Sequence, residues 1–233
     1  MNHGKNLVHR FEMPGIHSNM YIIMEQNEAF IVDPNINEDA LLLMRGNGVQ
    51  SATVVLTHEH FDHISGVNWL RENMYCRVLC TQSAKEAIQD SYTNLAQYWD
   101  VVMMDKSPEE QEAGLLVKDE NYTCMADAVF PLDKALNWHN HEIKGIAAPG
   151  HSPGGMLIRF DDVVFTGDNL VNGVGVICRL PGGKWRDYKN ITLPIFSNLN
   201  ERVQIYPGHG DSGDLFELSK YLVKYGAEVR EET

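Results

Sequence analysis

The chain has 233 residues and a formal charge of −13, from 32 Asp and Glu against 19 Lys and Arg. That acidity, with no Lys/Arg-rich run to offset it, argues against a nucleic-acid partner, and the length suits a single domain, 1–233, able to bury a substantial core. The four cysteines, Cys76, Cys80, Cys124 and Cys178, form no C-x-x-C pair, so they read as free thiols in a reducing compartment rather than as a disulfide framework.

In chain order, residues 1–10 are polar and carry no signal-type apolar run, and no later stretch is long enough to span a membrane. A cytoplasmic protein without a membrane partner is expected. Strands are expected over Leu7–Met13, Met20–Met24 and Ala29–Val32. A short helix through Ala40–Met44 follows, stopped by Gly46-Asn47-Gly48. Ala52–Leu56 is apolar and β-branched, as a buried strand should be. Ile64, Val67, Trp69, Leu70 and Met74 then recur with a helical period. A strand at Arg77–Cys80 leads to a helix over Ala84–Gln89, with Ser83 as its expected N-cap.

Residues Ser91–Glu120 interrupt this rhythm. Tyr92, Tyr98 and Trp99 lie in a near-helical pattern, followed by the acidic run Asp105–Glu112. The segment reads as an inserted helix or helix pair with a mobile loop, placed to act as a lid. Strands resume at Tyr122–Met125, Ala135–Trp138, Glu142–Ala147, Met156–Phe160, Val163–Phe165 and Val203–Tyr206. Helices are expected over Asp187–Asn198 and Leu215–Tyr225. Strands in two blocks, each flanked by helices, suit two packed sheets with helices outside.

Four segments carry the chemistry: T-H-E-H-F-D-H at Thr57–His63, P-G-H-S-P-G-G at Pro149–Gly155, F-T-G-D at Phe165–Asp168 and Y-P-G-H-G at Tyr206–Gly210. They supply His58, His60, Asp62, His63, His151, Asp168 and His209, each just past the C-terminal end of an expected strand. Two residues apart in extended chain, His58 and His60 share a face. Spacing alone says that the seven converge, and such a His-rich set with carboxylates suits zinc while also accepting iron or manganese.

The order H-x-H-x-D-H, His, Asp, His with Gly-rich flanks resembles the metallo-β-lactamase-fold hydrolases, over a span from Tyr21 to Gly210. The resemblance implies an α/β fold, a four-layer αββα sandwich, here with the inserted helical segment at 91–120. It implies two divalent metal ions: one held by His58, His60 and His151, a second held by Asp62, His63 and His209, and Asp168 bridging both. Asp62 would also act catalytically by orienting water and shuttling a proton to the leaving group. A metal-bridging hydroxide would attack a small-molecule thioester or ester. Within the superfamily the chain is most similar to small proteins like hydroxyacylglutathione hydrolase (glyoxalase II). True β-lactamases lack the bridging Asp, and flavodiiron proteins carry Glu where His60 stands. The small relatives carry G-R-x-D-L-P-G-G; Leu180–Gly183 keeps its L-P-G-G, but Ile177-Cys178-Arg179 precedes it. The helical substrate domain of full-length glyoxalase II has no counterpart after His209.

Rival readings are a mononuclear iron sulfur (persulfide) dioxygenase, a lactonase, and a non-catalytic metal-stabilised scaffold. A homo-oligomer is compatible with the sequence. Asp33 either orients a ligand His or caps a turn. Glu59 and Phe61 read as outward or packing residues, His17 as a surface or site-edge residue, and His139 and His141 as surface residues. Arg179 reads as a surface residue or a contact for a substrate carboxylate, and Cys178 as an unreactive thiol.

Overall fold

The computed structural model describes residues 8–222. The chain divides into two compact units, Met1–Phe130 and Pro131–Thr233.

The first unit is a six-stranded mixed sheet in chain order: β1 (His9–Glu12), β2 (Asn19–Glu25), β3 (Glu28–Val32), β4 (Ser51–Val55), β5 (Tyr75–Cys80) and β6 (Ala128–Val129). The first three strands are antiparallel and the last four parallel. Strands β2 and β3 are buried along almost their whole length, which is why they read as continuous apolar runs rather than alternating ones. Helix α1 (Glu38–Gly46) connects β3 to β4. Asn37 caps it by accepting from Ala40 N at 3.0 Å, and Gly48 turns the chain away at φ +73. Between β4 and β5 lie α2 (Phe61–Ile64) and α3 (Val67–Asn73).

Helix α4 (Gln82–Ala87) follows β5. Its N-cap is Thr81, not Ser83: Thr81 is the residue in extended backbone, and its hydroxyl accepts from Ala84 N at 3.1 Å. The irregular segment beyond it contains a 3₁₀ turn (Ala96–Tyr98), α5 (Trp99–Met103) and α6 (Pro108–Leu115). Most of the acidic run Asp105–Glu112 expected as a mobile loop, from Pro108 onward, is therefore helix. Ser107 and Glu110 form a reciprocal capping box, Pro108 starts the helix, and the glutamates fall in its favourable first turn. Tyr122–Met125 is not a strand. Asn94 and Tyr122 hold this stretch in irregular backbone, and the chain joins the sheet only at β6.

The second unit is a six-stranded mixed sheet in the order β12-β11-β10-β9-β8-β7. Its strands are β7 (Leu136–Trp138), β8 (His141–Ala147), β9 (Met156–Phe160), β10 (Val163–Gly167), β11 (Gln204–Pro207) and β12 (Gly213–Asp214). Only the β10–β11 pair is parallel. The helix expected over Asp187–Asn198 is an unbroken helical run of α7 (Trp185–Asp187), a π turn (Tyr188–Thr192) and α8 (Leu193–Ser197). The π turn accompanies the buried Tyr188, whose hydroxyl donates to Asn169 O at 2.9 Å, and Pro194, which cannot donate within the helix. The last helix, α9 (Leu215–Leu218), gives way to a 3₁₀ turn at Ser219–Tyr221. Residues 223–225 of the expected helix lie outside the described residues. Among the described residues no helix is long and apolar enough to cross a membrane.

Candidate metal centre

In the first unit the parallel register brings the ends of β3 and β4 together, Val32 opposite Val55. Asp33 and Thr57 leave the sheet beside one another as a result. Asp33 Oδ1 accepts from Thr57 N at 2.7 Å, and Oδ2 accepts from the Thr57 hydroxyl at 2.5 Å and from His63 Nδ1 at 3.0 Å. The Thr57 proton is thereby committed to Asp33. Its 3.0 Å contact with His58 Nδ1 must then run the other way, with His58 Nδ1–H donating to Thr57 Oγ1. One carboxylate sets the tautomer of two histidines, each with its proton on Nδ1 and its lone pair on Nε2, the form a metal ligand needs. Asp33 holds a histidine of the motif by its ring Nδ1, which is the geometry its orienting role requires.

Burial pushes the Asp33 carboxyl above its ordinary range, against the opposing pull of His63 and Thr57. Its backbone sits at φ +52, a conformation that residues other than Gly rarely adopt. The rings of His58 and His60 are 4.6 Å apart and those of His58 and His63 4.2 Å, so the three histidines of the motif form one buried cluster. Asp62 joins it with Oδ2 at 3.3 Å from His63 Nε2.

In the second unit the parallel pairing of β10 with β11 does the same work. Gly167 is opposite Pro207, and Gly208 N donates to Gly167 O at 2.8 Å, so Asp168 and His209 emerge side by side. Asp168 Oδ2 lies 3.5 Å from His209 Nε2 and 3.6 Å from His151 Nε2. His151 Nδ1 donates to Ile177 O at 2.7 Å, again placing the lone pair on Nε2. The loop before His151 depends on Gly150. At φ +134, a side chain there would be strained and its Cβ would sit 2.6 Å from Tyr188 N.

The separations between these donor atoms test whether a metal fits. Ligands about 2.1 Å from a tetrahedral ion stand about 3.4 Å apart. The contacts of 3.3, 3.5 and 3.6 Å match that edge and are longer than charge-assisted hydrogen bonds. Asp168, with one oxygen between two histidine Nε2 atoms, has the placement of a shared carboxylate.

Other candidates fall away from this chemistry. Glu59 and Phe61 are both buried, Phe61 against Trp99 and Tyr122. His17 reaches Glu12 and Glu110. His139 and His141 are half-buried rather than on the surface: His141 pairs with Asp161 and both rings pack against Trp138. Arg179 is exposed. Burial pushes the Cys178 thiol up to about 12, as its reading as an unreactive thiol requires. Thr57 and Ile177 were not singled out from sequence, because a hydroxyl relay and a carbonyl acceptor carry no spacing signal.

A family model described as the metallo-beta-lactamase superfamily matches residues 13–209. A probable metallo-hydrolase of Bacillus subtilis, YqgX, is 25% identical over 213 residues, covering 88% of this chain and 91% of its own length. The crystal structure of BLEG-1 B3 metallo-beta-lactamase superposes with a TM-score of 0.72 at 24% identity, covering 91% of this chain and 95% of that one. TTHA1623, crystallised in a di-iron-bound form, gives 0.65 at 22%, covering 92% and 98%.

Proposed function

The chain belongs to the metallo-β-lactamase superfamily and is a metal-dependent enzyme with the metallo-hydrolase fold; from that premise we propose that it is a dinuclear hydrolase of small thioesters or esters. The observation that carries the reading is the set of donor-atom separations in each unit, with Asp168 Oδ2 between two histidines. In this reading His58, His60 and His151 would hold one divalent ion and Asp62, His63 and His209 the other, with Asp168 available to both.

When bound, two such ions supply a water activated at neutral pH and polarise the substrate carbonyl. The chain's own residues supply the rest. Asp33 and Thr57 keep the protons of His58 and His63 on Nδ1. Ile177 O does so for His151. Asp62, whose backbone carbonyl accepts from Ser18 Oγ at 3.0 Å, would orient the water and pass a proton to the leaving group. Asp168 lowers the repulsion between two neighbouring cations. No Ser or Cys nucleophile is needed, and the raised Cys178 thiol is unsuited to be one.

Zinc suits the imidazole-rich donor set, and iron is its competitor, favoured by the di-iron form of TTHA1623. The reading also proposes a small-molecule substrate, no nucleic-acid or membrane partner, and one catalytic domain in which 91–120 is an insertion. A panel of S-acyl thioesters, aryl esters, lactones and β-lactams, assayed with and without a chelator, tests it. Chelator-sensitive turnover of thioesters or esters is expected. Turnover confined to β-lactams, or indifferent to the chelator, would contradict it.

A further inference from the structure

Helix α2 carries Asp62 and His63, yet at four residues it cannot hold itself together. A helix leaves orphan N–H groups at its start and orphan carbonyls at its end. His60, its N-cap residue, makes no side-chain capping bond. Both ends are instead closed from one place in the chain. Phe61 N donates to Asn94 O at 2.7 Å. Ile64 O accepts from the Tyr122 hydroxyl at 2.7 Å, and that hydroxyl oxygen accepts from Asn68 N, at the start of α3, at 3.4 Å. Between the two ends, the Phe61 ring meets Trp99 edge-on at 5.1 Å and Tyr122 at 5.2 Å.

The three clamping residues are tied to one another and to their segment. Asn94 is fully buried; its amide donates to Tyr122 O at 2.8 Å and its Oδ1 accepts from Ala96 N at 2.9 Å. Trp99 Nε1 donates to Gly114 O on α6 at 3.0 Å. Gly114 in turn packs on Gly15, where a Cβ would lie 2.7 Å from its nitrogen. The loop bearing Gly15 ends at Ser18, which holds the Asp62 carbonyl. The inserted segment thus reaches α2 by two routes, directly and through the Ser18 loop.

We propose that residues 91–122 are a clamp that positions the metal-binding helix, with Asn94 and Tyr122 as its positioning residues. The proposal rests on the assignment of Asp62 and His63 as metal ligands. Both lie within a span whose two ends are fixed by Asn94 O and the Tyr122 hydroxyl, so loosening either end moves those donors relative to each other. His58 precedes the helix and is held through Thr57, and His151 is held by Ile177 O, so the ion assigned to them is the less exposed to the change.

The test is cobalt(II) titration of the metal-free full chain, followed by visible absorption, for wild type, Tyr122→Phe, Asn94→Asp and the core control Ile22→Val. Tyr122→Phe keeps the ring on Phe61 and loses the bond to Ile64 O; Asn94→Asp keeps the acceptor for Ala96 N and loses the donor to Tyr122 O. Either variant that folds should bind one cobalt with unchanged affinity and the other about tenfold more weakly. Ile22→Val should lose thermal stability without that split, because lost core packing alone does not move α2. Two cobalt ions bound by both clamp variants with wild-type affinities would overturn the clamp and leave the metal assignment standing. A wild-type chain that binds no cobalt would overturn the metal assignment and the clamp with it.

Discussion

Asp33 Oδ2 lies 3.0 Å from His63 Nδ1, with both side chains buried, and the same oxygen takes the Thr57 hydroxyl proton. Asp33→Asn keeps the shape and removes the charge. The amide oxygen accepts less strongly from His63, and its NH₂ faces donors rather than acceptors. Metal affinity should fall about 10–100-fold, with secondary structure retained. Isothermal titration of the metal-free variant against its parent measures this; equal affinity would show that Asp33 only caps its turn.

Asp168→Ala removes the carboxylate placed between His151 and His209. The variant should fold, bind one ion in place of two and lose most turnover. Metal content and activity are measured on the same sample, and unchanged stoichiometry with unchanged turnover would remove Asp168 from its bridging role.

Gly150→Ala places a side chain at φ +134, against the backbone of Tyr188. The strain should cost about 1–3 kcal/mol, read as a lower denaturation midpoint in urea. Leu116→Ser, at an 84% exposed position of the same protein, should stay within about 0.5 kcal/mol of wild type. Equal midpoints for the two would mean that position 150 does not require glycine.

The seven ligand candidates were legible as candidates because each lies in a short, chemically distinctive motif that follows a strand. The tautomer relay was not, because it depends on register: Asp33 meets Thr57 only through the parallel pairing of β3 with β4, across 24 residues of chain. Ser83 and Thr81 are both good cap residues by type, and backbone geometry alone selects Thr81. Tyr122–Met125 has strand composition, yet Tyr122 spends its ring on Phe61 and its hydroxyl on Ile64 O, so tertiary contact overrides propensity. The helical character of Pro108–Leu115 was signalled by Ser107 and Glu110, a capping box hidden inside an acidic run.

Burial pushes the thiols of Cys80, Cys124 and Cys178 up to about 12. Their folded-state values exceed the unfolded one, so the stability they contribute is complete below the ordinary thiol value of about 8.5. It is lost as pH rises toward 12, because the unfolded chain gives up its protons first. Native protein at pH 8 should therefore react slowly with a thiol reagent, and fast only after unfolding in denaturant. Rapid modification of Cys178 in the native state would contradict its placement as an inert thiol.

The most direct test of the central claim is the metal content of protein purified without added metal, by inductively coupled plasma mass spectrometry. Two divalent ions per chain, mainly zinc, are expected. One iron per chain, unchanged when excess zinc is offered, would contradict the dinuclear hydrolase reading and point to oxygen chemistry at a single ion.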